Sequence, residues 1–367
     1  MINIAKPLIG TEEKKAVLEV LESGIIAQGP RVKAFEEAFA DMCGVRYAIA
    51  TSSGTTALHT ALLASEIGEG DEVITSPFTF IASANSILYS GAHCVFVDID
   101  PRTFNLDPKA IEPAITQNTR AIMPIHLFGL SCDMGPIVEI AEMYGLSIIE
   151  DACQSHGASY GGRKVGSFGT GVFSLYPTKN ITSAEGGMIT TDDEGIAERC
   201  RMIRQHGMRT RYLHEQLGYN YRMSDLHAAI GLEQLKKLAG FNRARQENAC
   251  YLSANLVGVV TPFVPDGRQH VFHQYTIRVP DGKRDTLRAH LFDNEIGCEV
   301  YYPRPVHKQP IYKTDQASSQ SFPNSETAAS EVLSLPIHPG LSKTDLETIV
   351  RMVNDFMAGS ISPQEVE

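Results

Sequence analysis

Tyr47-Ala48-Ile49-Ala50-Thr51-Ser52-Ser53-Gly54-Thr55-Thr56-Ala57-Leu58 joins a short apolar run to a helical pattern through a small, hydroxyl-rich turn. The same alternation recurs as far as Asp151. Apolar runs at Tyr47–Thr51, Glu72–Ser76, His93–Val97, Ala121–Ile125 and Ser147–Glu150 read as strands. Between them, Thr55–Ser65, Ile81–Tyr89, Pro108–Ile115 and Met134–Tyr144 read as helices. Strands alternating with helices of this length make βαβ units, which predicts an α/β fold with a largely parallel sheet covered on both faces. In such sheets ligands bind outside the carboxyl ends of the strands, so the residues that follow each strand are the ones to read for chemistry.

After Asp151 the pattern turns irregular and glycine-rich until Gly187, where a strand (Gly187–Thr191) and a helix (Glu194–Arg204) follow. Ser224 suits the N-cap of a helix at Asp225–Leu238 that continues in broken form to about Leu256. Val271–Val279 alternates like a strand. Lys283–Asn294 and Thr344–Phe356 read as helices, the second capped near Ser342 or Lys343, and Ser360–Glu367 reads as a frayed tail. The change of pattern predicts a large domain over residues 1–249 and a smaller α+β domain over residues 250–367. A length of 367 residues agrees with two domains at about 150 residues each.

Composition narrows the function classes. Apolar residues make up 43% and charged residues 20%, a globular balance that excludes wholesale disorder. The net charge of −11 opposes a phosphate backbone, and the densest basic stretch, Arg199 to Arg211, spreads its five arginines among other residues. No nucleic-acid partner is expected, although a small phosphorylated ligand is compatible with that charge. No apolar run approaches the roughly 18 residues that span a bilayer. Met1–Pro7 lacks the apolar core of a signal peptide, so a cytoplasmic protein with no membrane partner is expected. Cys43, Cys94, Cys132, Cys153, Cys200, Cys250 and Cys298 are odd in number, scattered and without a C-x-x-C pair, which fits reduced core thiols.

Three segments at strand ends carry chemistry. Ser52-Ser53-Gly54-Thr55-Thr56 would present free N–H groups and the positive end of a helix dipole, which suits a phosphate, although a plain N-cap reads the same. Ile148-Ile149-Glu150-Asp151-Ala152-Cys153-Gln154 places carboxylates at the mouth of the sheet. Uncompensated charge is costly there, so a cation is expected nearby, in a salt bridge or as a protonated ring nitrogen. Strand alternation turns Glu150 away and leaves Asp151 facing the site. In Phe173-Ser174-Leu175-Tyr176-Pro177-Thr178-Lys179-Asn180, a lone lysine stands among apolar and small residues. Desolvation there would lower its pKa towards the neutral amine of a Schiff-base enzyme, against the alternative of a lysine that snorkels to the surface. A phosphate cup, a carboxylate for a ring nitrogen and a reactive lysine are the three handles of pyridoxal 5′-phosphate (PLP). His270 and His273 form an H-x-x-H pair without a third ligand at zinc spacing, and alternation on a strand would point them to opposite sides, so no metal is expected. Gly166, Gly169 and Gly171 read as loop punctuation.

These motifs resemble the sugar aminotransferases of the DegT/DnrJ/EryC1/StrS family, which share the aspartate-aminotransferase fold (fold type I). The resemblance runs from Gly29-Pro30 with Phe35-Glu36, through Pro305-Val306-His307 with Gln309-Pro310, to Leu335-Pro336. It implies a mostly parallel seven-stranded sheet between helices in the large domain. It also implies that Lys179 carries the cofactor, as PLP or in the aminated form pyridoxamine 5′-phosphate (PMP), and that Asp151 pairs with its ring nitrogen. Gln154 would contact the ring hydroxyl, Phe80 would stack on the ring, and Gly54, Thr55 and Ser174 would hold the phosphate. Asn220 would reach that phosphate from a neighbouring subunit, which implies a homodimer with a shared site. Leu175 and Ala184 depart from the family pattern, which often has an aromatic and a glycine there.

The reaction so implied moves an amino group from L-glutamate to a nucleotide-linked keto-sugar. Gly24-Ile25-Ile26-Ala27-Gln28-Gly29-Pro30 favours a 4-keto-6-deoxyhexose over a 3-keto sugar. Arg222, Arg209, Arg211 and Lys308 are candidates for the diphosphate, and Tyr301 and His307 for the sugar. A ketocyclitol (inosose) acceptor and a PLP-binding regulator without turnover are the alternatives.

Overall fold

A computed structural model describes residues 1–312 and 319–359; the expected tail at 360–367 lies outside the described residues. Seven strands form the central sheet: β1 (Tyr47–Thr51), β2 (Glu72–Thr75), β3 (His93–Phe96), β4 (Thr119–Met123), β5 (Ser147–Asp151), β6 (Thr170–Ser174) and β7 (Gly187–Thr191). Their order is β1-β7-β6-β5-β4-β2-β3. Only β7 runs antiparallel to its neighbours, so the sheet is mostly parallel, as the βαβ pattern predicts. β4 ends at Met123, short of the expected Ile125, because Pro124 has no N–H to give the ladder.

Helices α1 (Thr11–Ser23), α2 (Pro30–Cys43), α3 (Gly54–Ala64), α4 (Ile81–Tyr89), α5 (Met134–Tyr144) and α6 (Glu194–Ile203) surround the sheet. The expected helix at Pro108–Ile115 is instead two 3₁₀ turns, Pro108–Ala110 and Glu112–Ala114, since Pro113 interrupts the α ladder. β6 fell in the glycine-rich stretch that reads as irregular. Its Gly171 is a packing requirement: a Cβ there would lie 2.4 Å from Thr190 Oγ1.

α7 (Asp225–Asn255) is continuous where a break was expected, and it passes through residue 250 without interruption. Gly231 within it backs onto the Phe35 ring, 2.6 Å from where a Cβ would be, which lets α2 approach closely. The first residue of α7 ties the two helices together. Asp225, 1% exposed, accepts Gly29 N–H at 2.8 Å, Arg31 N–H at 3.1 Å and Val32 N–H at 3.0 Å, so it caps the start of α2.

The remaining elements are β8 (Tyr275–Arg278), α8 (Arg284–Asp293), α9 (Pro323–Glu331), β9 (Val332–Leu335) and α10 (Lys343–Met357), with β8 and β9 antiparallel. Their core joins Leu252, Ile277, Leu333 and Ile349 to Phe78, Phe104 and Phe128. The alternation expected from Val271 is confined to β8, so His270 and His273 lie in the approach to a strand and not on one. Five cysteines are buried as expected, whereas Cys153 is half-buried and Cys250 is exposed. Among the described residues, no helix is long and apolar enough to cross a membrane.

Candidate active site

The carboxyl ends of β1, β5 and β6 open into a cavity of about 820 Å³ lined by Gly54, Thr55, Asp151, Ser174 and Lys179. At its floor, Ser53 caps α3 by accepting Thr56 N–H at 3.1 Å. The N–H groups of Gly54 and Thr55, in the first turn, have no acceptor in their own helix and form an anion cradle. A Cβ at Gly54 would lie 2.7 Å from Ser174 Cβ and 3.3 Å from Cys153 Sγ, so only glycine lets β6 close this cradle.

Asp151 and Glu150 point to opposite faces of β5. Asp151, 6% exposed, accepts Ser83 Oγ–H at 2.7 Å and Cys153 N–H at 3.1 Å. Each oxygen keeps a further lone pair for a ligand donor. Glu150 is fully buried. It accepts N–H groups from Gly166 (2.8 Å), Phe168 (2.7 Å) and Gly169 (3.2 Å), and His126 Nε2 lies 3.0 Å from it. His126 Nδ1 accepts Cys132 N–H at 3.0 Å, which fixes the neutral tautomer with Nε2–H donating to Glu150. Glu150 is therefore compensated by amides and a neutral ring, where a cation was expected. Gly166 and Gly169, two of the three glycines read as punctuation, form with Phe168 a nest for this carboxylate. The backbone on either side is clamped as well, with His126 N–H donating to Asp151 C=O at 3.0 Å and Asp151 N–H to Pro124 C=O at 2.9 Å. Glu150→Gln is expected to cost about 3 kcal/mol in chemical denaturation, because an amide cannot satisfy this set of donors. A loss below about 1 kcal/mol would contradict that account.

Lys179 follows a turn in which its N–H donates to Tyr176 C=O at 2.9 Å. The next residue, Asn180, anchors the turn by donating to Asn242 Oδ1 at 2.7 Å and Val271 C=O at 2.9 Å. Burial lowers the Lys179 pKa, partly offset by the nearby Cys153 and Asp151. Gln154 spans the far wall: its Oε1 accepts Phe128 N–H at 2.8 Å and its Nε2 donates to Tyr302 Oη at 3.1 Å. Phe80 is 55% exposed at the mouth, its ring 6.1 Å from that of Tyr302.

Tyr301 also lines the cavity. Asn220 is exposed and Arg222 half-buried, in a segment whose Tyr221 C=O accepts Ser52 N–H at 2.8 Å, outside the cavity. Arg209 pairs with Glu198 (3.5 Å) and Glu215 (3.7 Å), while Arg211 lies over Tyr212. His307 is not brought to the cavity wall. It is fully buried against Phe322, with ring centroids 4.7 Å apart, and 3.4 Å from Glu326. Lys308 is 3.7 Å from that same Glu326. The residues that sequence reasoning missed are Ser83, Glu185, His273, Glu299 and Tyr302. Tyr302 adjoins the Tyr301 that was singled out, and His273 belongs to the H-x-x-H pair read only for a metal; Ser83, Glu185 and Glu299 carry no local signal. Ala184, beside Glu185, has φ +67°, the conformation that explains a glycine at this place in the family pattern.

The donor set suits PLP. The Gly54 cradle takes a phosphate, Asp151 has a lone pair for a ring N–H, Gln154 lies beside it, and Lys179 supplies an amine in the same enclosure.

Residues 7–354 match the DegT/DnrJ/EryC1/StrS aminotransferase family. The chain is 44% identical to a pleiotropic regulatory protein of Geobacillus stearothermophilus, covering 92% of each chain. It is 41% identical to the GDP-perosamine synthase of Caulobacter vibrioides, covering 97% of this chain and 98% of that one. The solved structure of S. venezuelae DesV in complex with a ketimine intermediate superposes with a TM-score of 0.92 at 37% identity, covering 97% of this chain and 95% of that one. Other solved relatives of this fold are in PLP or PMP forms.

Proposed function

Because the chain belongs to the DegT/DnrJ/EryC1/StrS aminotransferase family, we propose that it moves the amino group of L-glutamate onto a nucleotide-linked keto-sugar, a 4-keto-6-deoxyhexose in preference to a 3-keto sugar. It is a PLP-dependent aminotransferase of the sugar-modifying kind. The observation that carries the finer reading is the convergence of Lys179, Asp151 and the Gly54 cradle on one cavity large enough for a sugar.

In this reading Gly54, Thr55 and Ser174 hold the cofactor phosphate, Asp151 its ring nitrogen, Gln154 its ring hydroxyl and Phe80 its face. The bound cofactor supplies an electron sink for a carbanion at the donor Cα. Lys179 does the proton work. Its amine, whose pKa burial lowers, takes the proton from the donor Cα and later returns it, acting as base and then acid. Ser83 and the Cys153 N–H fix the Asp151 carboxylate, so its charge needs no reorganisation during reaction. Tyr301 and Tyr302 form the wall against which the sugar rests.

A homodimer is part of this proposal, with Asn220 reaching the partner's phosphate cradle and Arg222 its diphosphate. Exposed apolar side chains around and beyond the mouth support it, among them Phe80, Tyr176, Tyr89 and Leu217.

The test presents the purified protein with L-glutamate and, in parallel, a nucleotide 4-keto-6-deoxyhexose, a 3-keto counterpart and an inosose. Preferred amination of the first supports the reading, and preferred amination of the inosose replaces it with the cyclitol alternative. The similarity to a pleiotropic regulatory protein favours, as a second reading, a PLP-binding regulator. No turnover with any acceptor would support that reading.

A further inference from the structure

Both ends of the Gln154 amide are engaged within the protein. Its Oε1 accepts the Phe128 N–H at 2.8 Å, which settles which end of the amide is oxygen. Its Nε2 therefore faces Tyr302 and donates to Tyr302 Oη at 3.1 Å. A side-chain amide carries two N–H groups, so one remains for the cavity. The same bond commits the phenol. An oxygen that accepts from Gln154 has its own O–H left to donate, and no residue among those described accepts that proton. A buried tyrosine hydroxyl ordinarily finds such a partner.

The phenol is firmly mounted at the cavity wall, where it is half-buried. Its ring meets Phe78 edge-on at 6.4 Å between centroids, Phe80 at 6.1 Å and Tyr301 at 5.9 Å. Phe80 is the residue whose ring, in the reading above, covers the cofactor face. Val306 N–H donates to Pro77 C=O at 2.8 Å, so the chain beyond Tyr302 is tied back to the turn that carries Phe78 and Phe80. Burial pushes the Tyr302 hydroxyl well above its usual pKa; the Gln154 bond opposes that shift and the Asp151 charge adds to it. The phenol thus stays protonated, a donor and not a base.

Gln154 Nε2–H and Tyr302 O–H are two donors side by side in one wall. Such a pair suits an oxygen that carries negative charge, because hydrogen bonds to a charged acceptor are the strong ones. The cofactor phosphate is accounted for by the Gly54 cradle, which leaves the phenolic ring oxygen. We propose that Tyr302 is a cofactor-contact residue whose O–H, oriented by Gln154, donates to the ring oxygen of PLP beside the remaining Gln154 N–H. The inference rests on the reading that places this oxygen at Gln154. It gives Gln154 a second task, as the positioning residue of the phenol.

The test strips the full chain of cofactor and measures, by equilibrium dialysis, its Kd for PLP and for the PLP analogue that lacks the ring hydroxyl. Tyr302→Phe removes one oxygen and keeps the ring packing. It is expected to raise the Kd for PLP about tenfold and to leave that for the analogue within about twofold of the parent. Binding of the analogue at parental strength also shows that the variant is folded. An equal loss for both ligands overturns the proposal, because it reports packing. An unchanged Kd for PLP overturns it as well, and is the result expected of a phenol directed at the sugar. Gln154→Glu keeps the bond from Phe128 but turns the Tyr302 O–H onto its own carboxylate. Tyr302→Phe made in that background is expected to change the Kd for PLP less than about threefold, and a full tenfold change there would overturn the positioning by Gln154. If Gln154→Glu weakens PLP and the analogue by the same factor, the ring oxygen does not lie at Gln154, and the underlying reading is what fails.

Discussion

Lys179→Ala is expected to abolish the visible band of the PLP-loaded protein and to lower turnover with L-glutamate by about 10⁴-fold or more. The substitution removes both the attachment point and the proton carrier, and each role alone is worth about 10² to 10⁴. The fold should survive. Burial lowers the pKa of Lys179, so the folded state binds this proton less tightly than the unfolded chain does. Its ammonium therefore opposes folding at neutral pH, a cost that disappears as pH rises above the ordinary lysine value. The cofactor-free variant is thus expected to melt no lower than the parent at pH 7. A lower melting temperature together with lost activity would mean that structure, and not chemistry, was removed. Retained transamination would show that another group carries the proton.

Asp151→Asn is expected to keep the cofactor bound and to cost about 10³-fold in turnover, the scale of removing one preorganised electrostatic partner. The amide oxygen can still accept the Cys153 N–H, and its Nδ2–H can donate to Ser83 Oγ where the second carboxylate oxygen accepted, which preserves the geometry. It cannot hold a proton on a ring nitrogen by charge. Single-turnover bleaching with L-glutamate separates the two effects: a normal band that bleaches slowly fits the assignment, and a rate within about tenfold of the parent would remove it.

The repeated strand-and-helix pattern up to Asp151 was legible because period-2 and period-3.6 patterning are local properties. For the same reason the cup at Ser53–Thr55, the carboxylate Asp151 and Lys179 could be found: each follows its strand directly, and parallel strands deliver their carboxyl ends to one edge. Nothing local marks β6. Its Gly171 looks like a loop residue, and only the neighbours at Gly166 and Thr190 show that it makes room for close packing. The continuity of α7 is hidden in the same way, because Gly231 weakens a helix in isolation and strengthens this one by admitting Phe35.

By itself the sequence determined the fold class and which of two adjacent carboxylates faces the cavity, since alternation along a strand follows from chirality and covalent geometry. The tertiary structure decided what surrounds the site residues. Ser83 comes to Asp151 from 68 residues away, Tyr302 to Gln154 from 148 away, and the His273 segment is tied to Asn180 from 91 away. It also withdrew His307 into the packing against Phe322 and used Glu150 to hold the glycine loop rather than a cation. Contacts between residues so far apart depend on how helices and strands pack, and no short window of sequence encodes that.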